Sequence, residues 1–483
     1  MRELSKNIFY LFLNSLSISL IGIIFWSILT RIITTEEYGH ISYILSFSIL
    51  LTNILSFGIF SGLWKYSSLN RIREVFLFLI IFSSSVFLSL FFIAIFLLKN
   101  IYIAILAVSL FLSQFFESIL YGYQRMKEIF ISNFASSFLK LIFLFFITYL
   151  FGVNFLYIVY ILILSTIVAI ILKLIFLKDL LLVFFEHVSF KINEIKKFFE
   201  YSLSSFISLI FNSLFSNFLV IFGYIFFFPA ISAIIFFSQQ ISAVIQFFPS
   251  IIVSAALPIL SKYAIKELKN KKKISFLIQQ IFNFSVVFVI SLVFLISYNI
   301  NLFFDLIQSN QEFKNFSFSF ILTISIASLF LILSNFLSSF LFSTNRTKEI
   351  YIIETFSILL AILSLFSFII FSLRDIYSFL FLYLTLSFVR FLLYFIAIRN
   401  LAALISPIQN LKLMIFIILV FLFSINFFNR FNDIRLNIVV IITYIVFCIF
   451  LVKILKIFGD DARKFIKLLN LPKPLREFIL LLI

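Results

Sequence analysis

The chain has 483 residues, 63% of them hydrophobic and only 12% charged, with a mean hydropathy of +1.22 and a net charge of +17. A soluble domain is usually about 25% charged, so this composition excludes a soluble globular fold. The apolar runs are continuous over about 20 residues rather than alternating over about ten, which excludes a membrane β-barrel and predicts an all-α polytopic membrane protein.

A bilayer core of about 30 Å takes roughly 20 helical residues to cross. On that measure the chain reads as fourteen transmembrane helices, at 8–33, 41–64, 75–98, 102–122, 129–151, 154–177, 201–224, 231–257, 276–298, 317–341, 351–371, 376–398, 411–428 and 436–456. The first run is too long for a signal h-region and lacks a small-x-small cleavage site, so it is expected to remain as a helix. Residues 1–177 make an N-terminal six-helix lobe. Residues 178–200 make a cytoplasmic linker, whose mixed-charge piece Lys191–Phe199 suits an interfacial amphipathic helix. Residues 201–398 make a C-terminal six-helix lobe, 399–456 an additional helix pair, and 457–483 a cytoplasmic tail with Pro472 and Pro474. The two six-helix halves begin alike. Tyr10 to Tyr66 and Tyr201 to Tyr263 are each two long spans closed by a Lys-Tyr pair, Lys65-Tyr66 and Lys262-Tyr263. Six spans per half predicts pseudo-symmetric lobes related by an axis along the membrane normal.

Cytoplasmic loops of membrane proteins are rich in Lys and Arg. With the N-terminus inside, 29 of these residues fall on the inner side and 6 on the outer. This predicts both termini in the cytoplasm, and it accounts for the net charge without nucleic acid.

Tyr201 to Ser261 carries no Lys, Arg, Asp or Glu and is long enough for two spans. The break is expected near Phe228-Pro229-Ala230, because proline cannot continue a helix ladder. Ser205, Ser208, Asn212 and Ser216 recur on one helix face of the first span. Gln239, Ser242, Gln246, Ser250 and Ser254 do so on the second. Matching polar faces suggest that they meet or line a wet cavity.

Catalytic signals are nearly absent. His40 and His187 lie far apart, no metal-ligand cluster or Gly-rich phosphate loop occurs, and Cys448 is the only cysteine. The expectation is a transporter, not an enzyme, with no cofactor. The adjacent pair Glu36-Glu37 is read as capping the second helix, and the 77 phenylalanines as filling lipid-facing positions. Charges inside spans are costly and usually face protein or water. Arg31, Lys140 and Arg390 form a candidate anion site, with a Glu117–Lys140 ion pair as the bland alternative. Lys173 and Glu354 lie near inner span ends, where long side chains can reach the interface. Candidate cavity-lining residues are Asn14, Asn53, Glu117, Ser205, Ser208, Asn212, Ser216, Gln239, Ser242 and Gln246.

Several short stretches carry a family resemblance. They are Leu29-Thr30-Arg31-Ile32-Ile33-Thr34-Thr35-Glu36-Glu37-Tyr38-Gly39, then Phe57-Gly58 to Lys65-Tyr66, then Tyr121-Gly122-Tyr123-Gln124-Arg125. Tyr201-Ser202-Leu203 and Leu257-Pro258-Ile259-Leu260-Ser261-Lys262 follow in the second half. In this order and spacing the chain resembles the oligosaccharide-lipid flippases of bacterial polysaccharide synthesis, which move O-antigen or capsule repeat units, within the MOP (MATE-like) superfamily. It departs from the family in carrying Asn217 where an Asp is frequent, and in lacking the usual glycine early in the eighth span. The resemblance implies a polyprenyl-diphosphate-linked oligosaccharide bound between two lobes and moved outward by alternating access in the bacterial inner membrane. Its implied partners are that substrate, membrane lipids and other polysaccharide-assembly proteins. The alternatives are a MATE-like drug or cation antiporter, and a membrane polysaccharide polymerase or glycosyltransferase.

Overall fold

The structure is a computed structural model. It describes residues 2–69, 71–93, 100–152, 154–186, 191–266, 271–298, 311–343, 346–370, 376–399, 412–420, 434–455, 457 and 477. Among them every long element is an α-helix, and the described parts of the fourteen expected spans fall on helices, the second span on two. The helices are α1 (Arg2–Ile32), α2 (Thr35–Leu55), α3 (Ile59–Ser68), α4 (Phe76–Phe92), α5 (Ile101–Gly122), α6 (Met126–Phe151) and α7 (Phe155–Glu186). They continue with α8 (Ile192–Phe222), α9 (Pro229–Lys266), α10 (Lys271–Tyr298), α11 (Gln311–Ser343), α12 (Thr347–Ile370) and α13 (Ile376–Arg399). The last two are α14 (412–420) and α15 (Ile434–Ile454). Ten helices among the described residues are long and apolar enough to cross a membrane. Helices suit this setting because each satisfies its own backbone hydrogen bonds. The protein is therefore a multi-pass membrane protein.

The helix ends follow from local chemistry. Thr34 caps α2 by accepting from the Glu37 amide at 3.2 Å, and the Glu37 carboxylate accepts from the Thr34 amide at 3.1 Å. This is a capping box, and it gives Glu37 the capping role expected of the acidic pair. Asn100 caps α5 by accepting from the amides of Tyr102 and Ile103. After α8 the chain makes one wide turn, Gly223–Phe227, and Phe228 is extended. Pro229 then opens α9 at the first helical position, where its missing N–H costs nothing. That break lies where the sequence placed it.

Two features differ from expectation. The second span is not one helix but two, α2 and α3, broken where Phe57 (φ 45°) and Gly58 (φ 73°) are both left-handed. A left-handed pair cannot continue a right-handed helix. The charged stretch 191–199 is not a separate surface helix either. It is the first turns of α8, continuous with the seventh span.

The chain divides into two compact units, residues 10–236 and residues 1–9 with 237–483. In the first, α5 packs on α2, α3 and α7, α6 lies along α7, and α8 lies along α2 and α3. In the second, α11 packs on α10 and α13, and α12 lies against α13.

Candidate substrate site

Among the described residues, each unit holds one fully buried cation. In unit 10–236 the Lys173 ammonium on α7 bonds Ser113 Oγ at 2.9 Å, the Ser113 carbonyl at 3.3 Å and Glu117 Oε2, both residues on α5. The Lys173 side chain is 1% exposed and that of Glu117 23%. Asn133 on α6 donates to the same Glu117 oxygen at 3.4 Å and to Asn14 Oδ1 on α1 at 3.2 Å. Four helices thus meet in one polar cluster. Glu117 pairs with Lys173, so the expected Glu117–Lys140 pair is not formed. Lys173 does not reach outward from a span end: α7 continues to Glu186, which leaves it deep inside the helix.

In the other unit Arg390 on α13 grips Glu354 on α12 with two bonds, Nη2 to Oε1 at 2.6 Å and Nε to Oε2 at 3.2 Å. Its Nη1 donates to Ser334 on α11 at 3.2 Å, and the Tyr394 hydroxyl donates to Glu354 at 2.7 Å. Both charged side chains are 0% exposed. This corrects the placing of Arg390 in an anion site. Its charge is already matched, and no face of it is open to a phosphate.

The other two residues of that expected site behave differently. Lys140 on α6 is half-buried, with its ammonium 5.6 Å from the centre of the Phe25 ring on α1. Among the described residues no acid and no hydrogen-bond acceptor pairs with it. Arg31, in the last turn of α1, is exposed. It stands six residues beyond Phe25, roughly 9 Å further along the helix. The structure therefore puts two cations on adjoining helices of one unit.

The polar faces divide. Asn53 on α2 donates to Ser213 of α8 at 3.1 Å, so the face of α8 turned to α2 carries Ser213, one residue off the expected stripe. Of that stripe, Ser205 and Asn212 are half-buried and Ser216 is exposed. Ser205 and Ser216 donate to carbonyls of their own helix, at Ser202 and Asn212. On α9, Ser242 is buried and shares a 2.9 Å bond with Ser325 of α11, which makes it a packing residue rather than an open one. Gln239 and Gln246 are half-buried. The side chains of Ser208, Ser250 and Ser254 lie outside the described residues.

At one end of unit 10–236 an ion network ties α8 to the turn after α3. Arg71 bonds Glu74 at 2.8 Å and Glu194 at 2.9 Å, Lys191 bonds Glu74 at 3.3 Å, and Lys197 bonds Glu194 at 2.9 Å. The Tyr66 hydroxyl donates to the Glu194 carbonyl at 3.1 Å, and Lys65 sits 3.8 Å over the Tyr201 ring. The bonded Glu74 carboxylate pushes the Arg71 guanidinium up from its ordinary pKa. Among the described residues no His, Cys, Asp and Glu cluster could hold a metal ion.

This helical architecture recurs in solved structures. An inward closed structure of the lipid II flippase MurJ aligns with a TM-score of 0.66 at 15% identity, over 93% of this chain and 99% of that one. An inward-facing MATE family multidrug transporter of the MOP superfamily aligns at 0.59 and 15% identity, over 79% and 95%. The eukaryotic MATE transporter AtDTX14 aligns at 0.53 and 14% identity, over 82% and 94%. The fold is thus shared with MurJ and the MATE transporters. A search of curated sequences gives no match. Residues 4–264 match the family described as polysaccharide biosynthesis protein, and the chain belongs to that family.

Proposed function

We propose that this protein flips a polyprenyl-diphosphate-linked oligosaccharide from the inner to the outer leaflet of the bacterial cytoplasmic membrane by alternating access. The glycan is a repeat unit for a surface polysaccharide, such as the O-antigen of lipopolysaccharide, handed on to other polysaccharide-assembly proteins. Both termini lie in the cytoplasm. The observation that carries this reading is Lys140, a half-buried cation with no acid beside it, in a member of a polysaccharide biosynthesis family. An unpaired charge inside a membrane bundle is expensive and marks a substrate path. A diphosphate is the part of such a substrate that a point-charge ammonium binds. Arg31 supplies a second cation on the neighbouring helix. Outward movement of the negative headgroup is downhill across a membrane negative inside, by about 2.3 kcal/mol per charge per 100 mV.

The test is export of surface glycan by cells whose only copy is altered. Lys140→Ala and Arg31→Ala are expected to cut export with normal membrane yield, and Lys140→Arg to be milder. Normal export in both alanine variants would remove the anion site. The orientation is read separately, in a chain with Cys448 replaced. A cysteine at exposed Glu36 is expected to label from outside, and one at exposed Ser68 only after permeabilisation.

A further inference from the structure

The cluster around Glu117 has unused hydrogen-bonding groups. We infer that Asn14, Glu117 and Asn133 form a subsite for an uncharged sugar of the glycan, with Lys173 as a positioning residue. This rests on the flippase reading above and deepens it.

Lys173 has three N–H groups, and Glu117 Oε2, Ser113 Oγ and the Ser113 carbonyl take all three. It therefore offers nothing to a ligand. What it does is fix the direction of the Glu117 carboxylate. Glu117 Oε2 also accepts from Asn133, but Oε1 has no partner among the described residues. Nor has the Asn14 amide NH2, or the Asn133 carbonyl oxygen. None of these three groups is fully sealed, although Asn14 as a whole is buried. They amount to one two-proton donor and two acceptors on three residues joined by hydrogen bonds. A sugar hydroxyl both donates and accepts, and only a mixed set of this kind satisfies it.

The walls beside the cluster fit the other side of a sugar. Tyr10 lies one turn before Asn14 on α1, and Phe130 lies three residues before Asn133 on α6, so each shares the face of its asparagine. Their rings are 6.2 Å apart and tilted by 32°, with Phe134 5.7 Å beyond Phe130. Such sites combine apolar walls with a few placed polar groups. The C–H face of a pyranose packs against rings while its hydroxyls reach the amides and the carboxylate. The open oxygen of Glu117 repels a second carboxylate, so a neutral or N-acetylated sugar is taken and a uronic acid refused. The same repulsion sends the diphosphate elsewhere, towards Lys140 and Arg31.

The experiment measures binding to the full chain in lipid nanodiscs. The probes are bare polyprenyl diphosphate and polyprenyl diphosphate bearing a hexose, an N-acetylhexosamine or a hexuronic acid. A neutral-sugar carrier is expected to bind tighter than the bare one. Asn14→Ala, Asn133→Ala and Glu117→Gln are each expected to lose roughly tenfold for that carrier and nothing for the bare one. Thermal unfolding of each variant checks that it folds, and Asn133→Gln serves as a second, milder variant. Equal losses on both carriers, no loss on either, or preference for the hexuronic acid overturns the subsite. Failure of the unaltered protein to bind any of the four overturns the flippase reading itself.

Discussion

The two buried cations are alike in place and unlike in setting. Lys173 lies within α7 and Arg390 within α13, one in each unit, and each bonds a serine two helices earlier, on α5 and α11. Arg390 then meets an acid from the adjacent helix α12, and both partners are sealed at 0% exposure. Lys173 meets an acid from the same helix as its serine, and that acid remains 23% exposed. A sealed pair has satisfied all its charge within the protein and can only hold helices together. A pair with one partner open still presents a charge to whatever enters. The difference separates a sealed brace from a pair with one partner partly exposed, a contrast that position along a span does not show.

The largest effect is expected at the brace. Arg390→Ala leaves Glu354 buried without its counter-charge and should cost about 3–5 kcal/mol, seen as lost membrane yield and earlier thermal unfolding. Arg390→Met combined with Glu354→Leu should recover most of that stability, a coupling read by a double-mutant cycle. If Arg390→Ala folds normally and only export falls, the contrast between the pairs is broken. Lys173→Ala comes next. Glu117 can turn to water, so the loss should be about 1–3 kcal/mol, and the same cycle with Glu117→Gln should show weaker coupling. The serines give the smallest and sharpest test. Ser334→Ala removes a hydrogen bond from Arg390 Nη1, whereas Ser113→Ala leaves its own carbonyl on Lys173. Both should lie near 0.5–1.5 kcal/mol in thermal unfolding, with Ser334→Ala the larger.

The sequence made the helices legible because a membrane span declares itself by length and apolarity. The Pro229 break and the Glu37 cap were legible for the same local reasons. What it withheld were relations between helices. Lys140 and Lys173 both stood within spans, and position along a helix does not reveal which one turns towards Glu117. Lys173 looked able to reach the interface because α7 was read as ending at 177 rather than at Glu186, and Glu354 because α12 was read as starting at 351 rather than at Thr347. The face of α8 turned to α2 was missed by one residue, since Ser213 and Asn212 carry equal polarity and only packing distinguishes them. The break at Phe57 left a glycine in the sequence, but glycine alone does not announce a left-handed pair.

The short helix α3 is held by glycines on both sides. An added Cβ at Gly62 would press on Phe198 and the Ser202 hydroxyl of α8, and one at Gly58 on the Ser202 carbonyl. On the opposite flank, one at Gly122 of α5 would strike Ser67 and the Trp64 carbonyl. Where backbones lie this close, a methyl group acts as a wedge of known thickness and direction. Gly62→Ala pries α3 from α8, and Gly122→Ala pries it from α5. The same ten-residue rod can thus be tilted either way by one carbon atom, without touching any charge.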